Sequence, residues 1–297
     1  NCGKLNDGVT DNTSPDLTIN NVPVAPFGGY SDTLLAGSNV CFRMQSLDLE
    51  FNPNPPAGTG QMNTLIPLGS QFGVPINNPL AGCNIPPCAT LKHPTTGAAP
   101  LLTNQFGVEA EFCWQTTCDH IGKANGCISA SSTYNFILKV TDDFCPVPGI
   151  NYLTASITVV NKPKLDPPTI RCADVLPNGD VSLSWDSTSD SLTSFCSYEI
   201  YYSANKNGPY TLIDSVMNRL TINYIDNNPA RNVYTNGTGY YYMLTRSACH
   251  GAYYSNTTDT ISPMDLNLVV GGGGGIAQLS WNALPTPLLP STTGYYF

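Results

Sequence analysis

The sequence predicts an all-β chain built of tandem β-sandwiches, and three observations carry that prediction. The first is composition. Only 11% of the 297 residues are charged, against 16 Tyr, 26 Gly and 25 Pro. Helices draw on charged straight-chain residues, strands on β-branched and aromatic ones, and turns on Gly, Pro, Asn and Asp. The second is period-2 alternation of apolar residues in short runs, the mark of a strand with one buried and one wet face. The third is a repeated strand. Val181-Ser-Leu-Ser-Trp185 precedes a polar loop and Tyr198-Glu-Ile-Tyr-Tyr202, and Ile276-Ala-Gln-Leu-Ser-Trp281 precedes a similar loop and Tyr295-Tyr-Phe297. Trp185 and Trp281 stand 96 positions apart, about the length of one small sandwich (~100 residues).

The first region spans residues 1–163. In Val40–Ser46, Val40, Phe42 and Met44 share a face; in Val108–Trp114, Ala110, Phe112 and Trp114 do. Tyr134–Val140 and Leu153–Val160 alternate in the same way. Between these runs, 52–106 is dense in Pro, Gly and Asn and reads as a long ordered insertion. Asn161-Lys-Pro-Lys-Leu-Asp-Pro-Pro168 reads as a semi-rigid spacer, because its prolines hold it extended. A second domain, 167–264, should hold seven strands: 169–172, 181–185, 198–203, 210–215, 220–224, 239–247 and 254–262. Asn178-Gly179 supplies the turn between the first two. From 266 a further module opens, with Gly271 to Gly275 as a connection. It is expected to be unfinished at 297, its missing strands coming from continuation of the chain or from another chain.

Charge excludes several functions. The net charge is −9 with 12 Lys plus Arg, which opposes nucleic-acid binding and docking on anionic lipid. No run approaches the ~18 to 20 apolar residues of a membrane span. No signal peptide is visible and the chain begins at Asn1, as in a processed or truncated start. Eleven cysteines without zinc-type spacing point to an oxidising, extracellular or cell-surface location. The disulfide candidates are Cys2, Cys41, Cys83, Cys88, Cys113, Cys118, Cys127, Cys145, Cys172, Cys196 and Cys249. Cys118 with Cys145 is the favoured pair, and Cys83 with Cys88 would close the Asn-Ile-Pro-Pro loop. His93, His120 and His250 are the only histidines. With no nucleophile elbow, HExxH or phosphate loop present, the chain is read as no enzyme and as needing no cofactor beyond calcium. Asn12, Asn236 and Asn256 begin N-x-S/T acceptors. The tyrosines read as sandwich core or, where they face out, as a contact face for sugar or protein.

The strand ending in Trp185, with Tyr198-Glu-Ile-Tyr-Tyr and Tyr240-Tyr-Tyr-Met-Leu244, resembles a fibronectin type III module, and the segment from 266 resembles the start of another. Phe112-Cys-Trp-Gln-Thr-Thr-Cys118 and Phe136-Ile-Leu-Lys-Val-Thr-Asp-Asp-Phe-Cys-Pro-Val-Pro148 resemble the immunoglobulin-like, cadherin- or PKD-type modules of Bacteroidetes gliding-motility-associated, type IX-secreted surface proteins. The fibronectin resemblance implies a bridge from Cys249 to Cys196 or Cys172 at one pole. The cadherin-like one implies calcium at Asp11, Asp48, Glu50 and Asp142. The bacterial resemblance implies O-glycans on Asp-Ser/Thr-apolar sites: Thr33, Ser191, Ser215, Thr260 and, more loosely, Ser187. Together they imply a segment of a long surface adhesin or filament, with partners among its own copies, other surface proteins or glycans. The alternative is an accessory, carbohydrate-binding region of a large secreted hydrolase.

Overall fold

Strands dominate both of the units into which the chain divides, Asn1–Asn161 and Lys162–Phe297. The computed structural model describes residues 12–25, 28–52, 59–124, 127–128, 130–145, 147–264, 266–270 and 277–281.

The first unit holds β1 (Asp16–Ile19), β2 (Val22–Val24), β3 (Gly29–Leu35), β4 (Asn39–Leu47), β5 (Met62–Leu68), β6 (Thr90–Lys92), β7 (Thr103–Gln105), β8 (Glu109–Gln115), β9 (Lys123–Ala124), β10 (Cys127–Ile128), β11 (Ser131–Thr141) and β12 (Ile150–Val160). Two five-stranded sheets form, in the orders β2-β1-β4-β8-β6 and β3-β12-β11-β5-β7, beside a β9-β10 ribbon. β3 runs parallel to β12, whereas β11 and β12 pair antiparallel over their full length. The alternation read from sequence decides what is buried. Phe42, Met44, Phe112 and Trp114 from one sheet and Phe136, Leu138, Leu153 and Ile157 from the other are at most 2% exposed. Phe112 meets Phe136 edge-to-face at 5.0 Å between ring centres, and Trp114 meets Tyr134 at 4.9 Å. Such pairs add roughly 0.5–1.5 kcal/mol beyond burial. His120 is fully buried beside Trp114, accepting the Thr117 N–H at Nδ1 (2.9 Å) while Nε2 faces the Ile85 carbonyl at 3.0 Å. Burial drives its pKa below the ordinary imidazole value.

The stretch 52–106 is no insertion. It contributes β5 and β7 to one sheet and β6 to the other. These strands escape a period-2 reading because β6 and β7 are three residues each, and because Gln61 and Asn63 are buried polar residues where apolar ones would be sought.

In the second unit β13 (Thr169–Val175), β14 (Val181–Asp186) and β17 (Asn223–Asp226) form a three-stranded sheet. β15 (Phe195–Ser203), β16 (Thr211–Val216), β18 (Tyr240–Ser247) and β19 (Tyr253–Tyr254) form a four-stranded one, in the order β16-β15-β18-β19. This three-on-four antiparallel order is that of a fibronectin type III-like sandwich, and the first unit's order is immunoglobulin-like. Trp185, Leu183 and Val181 from one sheet and Tyr198, Ile200, Tyr241 and Met243 from the other fill the core. Gly179 turns the chain from β13 into β14 at φ +85°, a backbone conformation that favours glycine.

Two expected strands differ. The expected strand 220–224 is displaced to 223–226, because Asn218 ties off a turn by accepting the Leu220 and Thr221 N–H groups, leaving Leu220 and Ile222 exposed. The expected strand 254–262 pairs regularly only at Tyr253–Tyr254. Beyond it the Ser255 and Thr258 hydroxyls accept the Thr245 and Met243 N–H groups, and the chain returns to β18 at Tyr241↔Ile261. The spacer at 161–168 is also anchored to this unit over its second-unit residues. Leu165 is buried, its N–H donates to Ser247 Oγ, Lys162 Nζ donates to Thr193, and Thr188 Oγ1 donates to the Asp166 carbonyl.

β20 (Leu266–Val270) and β21 (Ala277–Trp281) make a hairpin in which Leu266 stands opposite Trp281 as Ile170 stands opposite Trp185; beyond that pair the two differ, because Leu279 faces Leu268 directly while the bulge after Ile170 sets Leu183 opposite Ala173. Trp281 is 37% exposed, against 1% for Trp185. Gly271 to Gly275 and residues 295–297 lie outside the described residues.

Candidate functional site

The tyrosines divide as a period of two requires. Tyr198 and Tyr202 point into the second unit's core with Ile200, which turns Glu199 and Tyr201 outward; on β18, Tyr241 points in while Tyr242, Leu244 and Arg246 point out. Tyr201 and Tyr242 are direct cross-strand partners and stack at 4.9 Å with 14° between ring planes; Tyr210 packs on Tyr242 at 4.8 Å. The Tyr201 hydroxyl donates to Glu199 (2.9 Å), which lies 3.9 Å from Arg246, whose guanidinium sits 5.5 Å over the Tyr254 ring. Burial, then the hydrogen bond to Glu199, pushes the Tyr201 phenol up to about 12, so it remains a donor at neutral pH. Leu212, beside Tyr201, and Tyr254 are each nearly half exposed. The result is a braced aromatic face that offers large contact area at low entropic cost.

The acidic residues Asp48, Glu50 and Asp142 are each held by the chain's own donors. Asp48 accepts the Glu50 N–H and the Asn63 amide. Glu50 accepts the Thr13 N–H and hydroxyl; Asp142 accepts the Phe144 and Gly149 N–H groups and the Asn12 amide. Calcium wants six to eight oxygens free to turn toward it, and these are already committed to N–H and O–H donors. Among the described residues no group of three His, Cys, Asp or Glu side chains is arranged to hold a metal. Asp48, Glu50 and Asp142, three of the expected calcium ligands, are thus engaged by the chain's own donors, and the fourth, Asp11, lies outside the described residues. Burial, with Asp142 and Glu50 nearby, raises the Asp48 pKa above its ordinary 3.8. Above 3.8, and up to that raised value, folded Asp48 holds a proton that the unfolded chain has released. Stability therefore falls as pH rises through the window. Melting curves across that window should show this slope, and Asp48→Asn should flatten it; an identical slope in the variant would refute the assignment.

The cysteines fall into two groups. Cys41–Cys113 and Cys83–Cys88 are bridged, the second closing the Asn84 to Pro87 loop. Cys118, Cys145 and Cys249 are also disulfide-bonded. Cys172 and Cys196 are thiols, which corrects the expected bridge from either to Cys249. Cys172 lies on the three-stranded sheet and Cys196 on the four-stranded one, in both cases where the strand is interrupted by a register shift. Such bulges redirect side chains in a way that alternation does not foresee. Cys2 and the Cys127 side chain lie outside the described residues. Burial first, then Asp174, raises the Cys172 thiol to about 11. Its alkylation by iodoacetamide at pH 8 should therefore be slow, gaining about tenfold per pH unit as thiolate forms. Peptide mass spectrometry reads this directly, and rapid labelling at pH 8 would count against it.

Of the hydroxyls, Thr33, Ser187 and Ser191 are exposed and Ser215 and Thr260 half-buried. Asn236 and Asn256 are exposed, whereas the Asn12 amide is held between Asp142 and Gln61, poorly placed for a glycan. No described helix is long and apolar enough to cross a membrane.

No protein-family model matches this chain. No curated protein matches it either. Among solved structures, titin domains A168–A170 align over 82% of this chain at 11% identity with a TM-score of 0.29. This chain covers 64% of that titin segment. The FN1–FN3 domains of chicken CNTN1 align over 80% of this chain and 67% of theirs, at 15% identity and 0.27. A β-1,2-glucanase from Parabacteroides distasonis aligns over 75% of this chain and 30% of its own, at 10% identity and 0.26. Strand order within each unit, rather than these alignments, identifies the two sandwiches.

Proposed function

We propose that this chain is a segment of a modular extracellular protein with a structural or adhesive role, and not an enzyme. The observation that carries the reading is the succession of two sandwich units, the first disulfide-stapled, followed by a hairpin that pairs Leu266 with Trp281 as β13 and β14 pair Ile170 with Trp185. We read that hairpin as the opening of a further fibronectin-like module. Disulfides favour an oxidising compartment, and the braced tyrosine face suits a protein or glycan partner. Resemblance of the 112–118 and 136–148 segments to type IX-secreted surface proteins supports export by that route, with O-glycans at the exposed Thr33, Ser187 and Ser191. Immunogold labelling of intact source cells should place the protein on the surface or on external filaments, and label confined to the cytoplasm would sink the proposal. The full reading frame separates the alternative. Further sandwiches with a sorting domain support a scaffold, whereas a hydrolase domain would make this segment an accessory region.

A further inference from the structure

One cleft of the first unit is left unused by that reading. It has a volume of about 320 Å³ and lies where the 93–108 segment passes the outer ends of β4 and β8. Period-2 alternation turns Phe42 and Met44 inward, so Arg43 and Gln45 face out, and the register sets Gln45 directly opposite Glu109. Glu109 Oε2 takes both the Gln45 amide (2.9 Å) and the Arg43 guanidinium, leaving Oε1 and the Gln45 carbonyl as acceptors. Arg43 holds the Glu109 pKa below the ordinary carboxylate value, so the pair stays ionised and the floor carries no net charge.

His93 and Asn104 line the wall. His93 Nδ1 accepts the Thr95 and Thr96 N–H groups at 3.2 and 3.4 Å, which places the ring proton on Nε2 as a fixed donor. Asn104 donates its amide to the Gly107 carbonyl at 2.9 Å and presents Oδ1 as a further acceptor. Phe106 and the exposed Leu101 supply apolar surface. The wall is built rather than draped. Phe106 is held at φ +62°, a left-handed conformation costly for an aromatic residue. The Phe106 carbonyl accepts the Asp48 N–H, its own N–H donates to Gln61, and the Val108 N–H donates to Ser46 Oγ. At Gly107 a Cβ would overlap the Ser46 carbonyl, so the segment lies flush on the sheet. Local strain held in place by tertiary bonds is a pattern of functional sites.

We propose that this cleft binds one neutral pyranose unit of a glycan. The chemistry is specific in three respects. The Glu109, Gln45 and Asn104 oxygens accept, while His93 Nε2 and the second N–H of each amide donate, a mixture that suits hydroxyls, which both donate and accept. The compensated floor selects against phosphate, sulfate and free cations. The volume lies at the lower end of small-ligand sites, enough for one ring, with Phe106 and Leu101 against its C–H face. This site stands apart from the tyrosine face, and its failure would leave the scaffold reading untouched.

The test is a ¹⁵N–¹H NMR titration of the full chain with a panel of neutral oligosaccharides covering the common pyranoses. At least one should shift the Gln45 and Asn104 side-chain amides saturably, with a millimolar Kd. Gln45→Ala and Asn104→Ala should each weaken that binding roughly tenfold. Asn104 is exposed and Gln45 half-buried, so melting temperatures report whether the variants remain folded. Asn104→Asp is a second probe: it keeps the shape, adds charge and should also weaken binding. No saturable shift with any neutral sugar would overturn the proposal. So would binding unchanged in folded Gln45→Ala, or tighter binding of a sulfated analogue than of its neutral parent.

Discussion

Asp226→Ala should destabilise the second unit by about 3–5 kcal/mol. Asp226 is 1% exposed at the end of β17 and receives three side-chain bonds. Arg231 donates twice, Nε at 2.6 Å and Nη2 at 2.9 Å, and the Tyr241 hydroxyl donates at 3.0 Å. Tyr241 is itself fully buried, and burial together with Asp226 drives its pKa far upward, so it remains protonated and donating. Removing the carboxylate would strand the Arg231 guanidinium and the Tyr241 hydroxyl together, and an uncompensated buried group costs far more than a bond contributes. For a sandwich of ~100 residues, each kcal/mol corresponds to roughly 4–8 °C in melting temperature. Calorimetry should show the second unit's transition lowered by at least about 12 °C. Tyr241→Phe, which removes only one donor, should cost roughly 1–2 kcal/mol. An Asp226→Ala loss below about 1 kcal/mol would mean that water replaces the carboxylate.

That triad was not legible in the sequence, and the reason is physical. Asp226, Arg231 and Tyr241 sit on β17, in the turn after it and on β18. Their convergence depends on strand placement, and the expected strand at 220–224 was offset by the Asn218 turn. What alternation does encode is which face is buried. Trp185, Tyr198, Ile200, Tyr241 and Met243 are core because each stands in a run with period two, and Trp114 and Phe112 are core for the same reason. Alternation fails where strands are short or their buried faces polar, as at β5, β6 and β7, which therefore read as an insertion. It also fails at bulges, which set Cys172 and Cys196 away from the positions a regular ladder would give them.

The surface sites divide along similar lines. Tyr201 and Tyr242 lie opposite each other by strand register, so the sequence suggests an outward aromatic face but not the Glu199 and Arg246 brace beneath it. The acidic residues illustrate the reverse case. Asp48, Glu50 and Asp142 do meet at one pole, as the cadherin-like resemblance implies. Composition cannot say which donors the carboxylates will meet, and Asn12, Thr13, Asn63 and Gly149 supply them here.

Cys41→Ser with Cys113→Ser should cost the first unit roughly 4 kcal/mol. The two cysteines are direct cross-strand partners on β4 and β8, with Cα atoms 4.2 Å apart and a sequence separation of 72. Constraint of the unfolded chain grows with the logarithm of loop length, and a loop of this size gives about 4 kcal/mol in the chain-entropy model. Position also sets how the bond is lost. Cys41 is exposed, outside the Phe42–Phe112 core, so a reductant reaches it without prior unfolding. Treatment with a phosphine should lower the first unit's denaturation midpoint at least as far as the double serine variant does, since Cys83–Cys88 and the bonds of Cys118 and Cys145 are reduced with it. Because β4 and β8 also share a ladder and the stacked Phe42–Phe112 pair at 4.7 Å, the reduced unit should refold to the same native spectrum, losing stability and keeping its fold. A midpoint unmoved by reduction would show that the sheet alone constrains these strands and would reduce this bridge to a surface ornament.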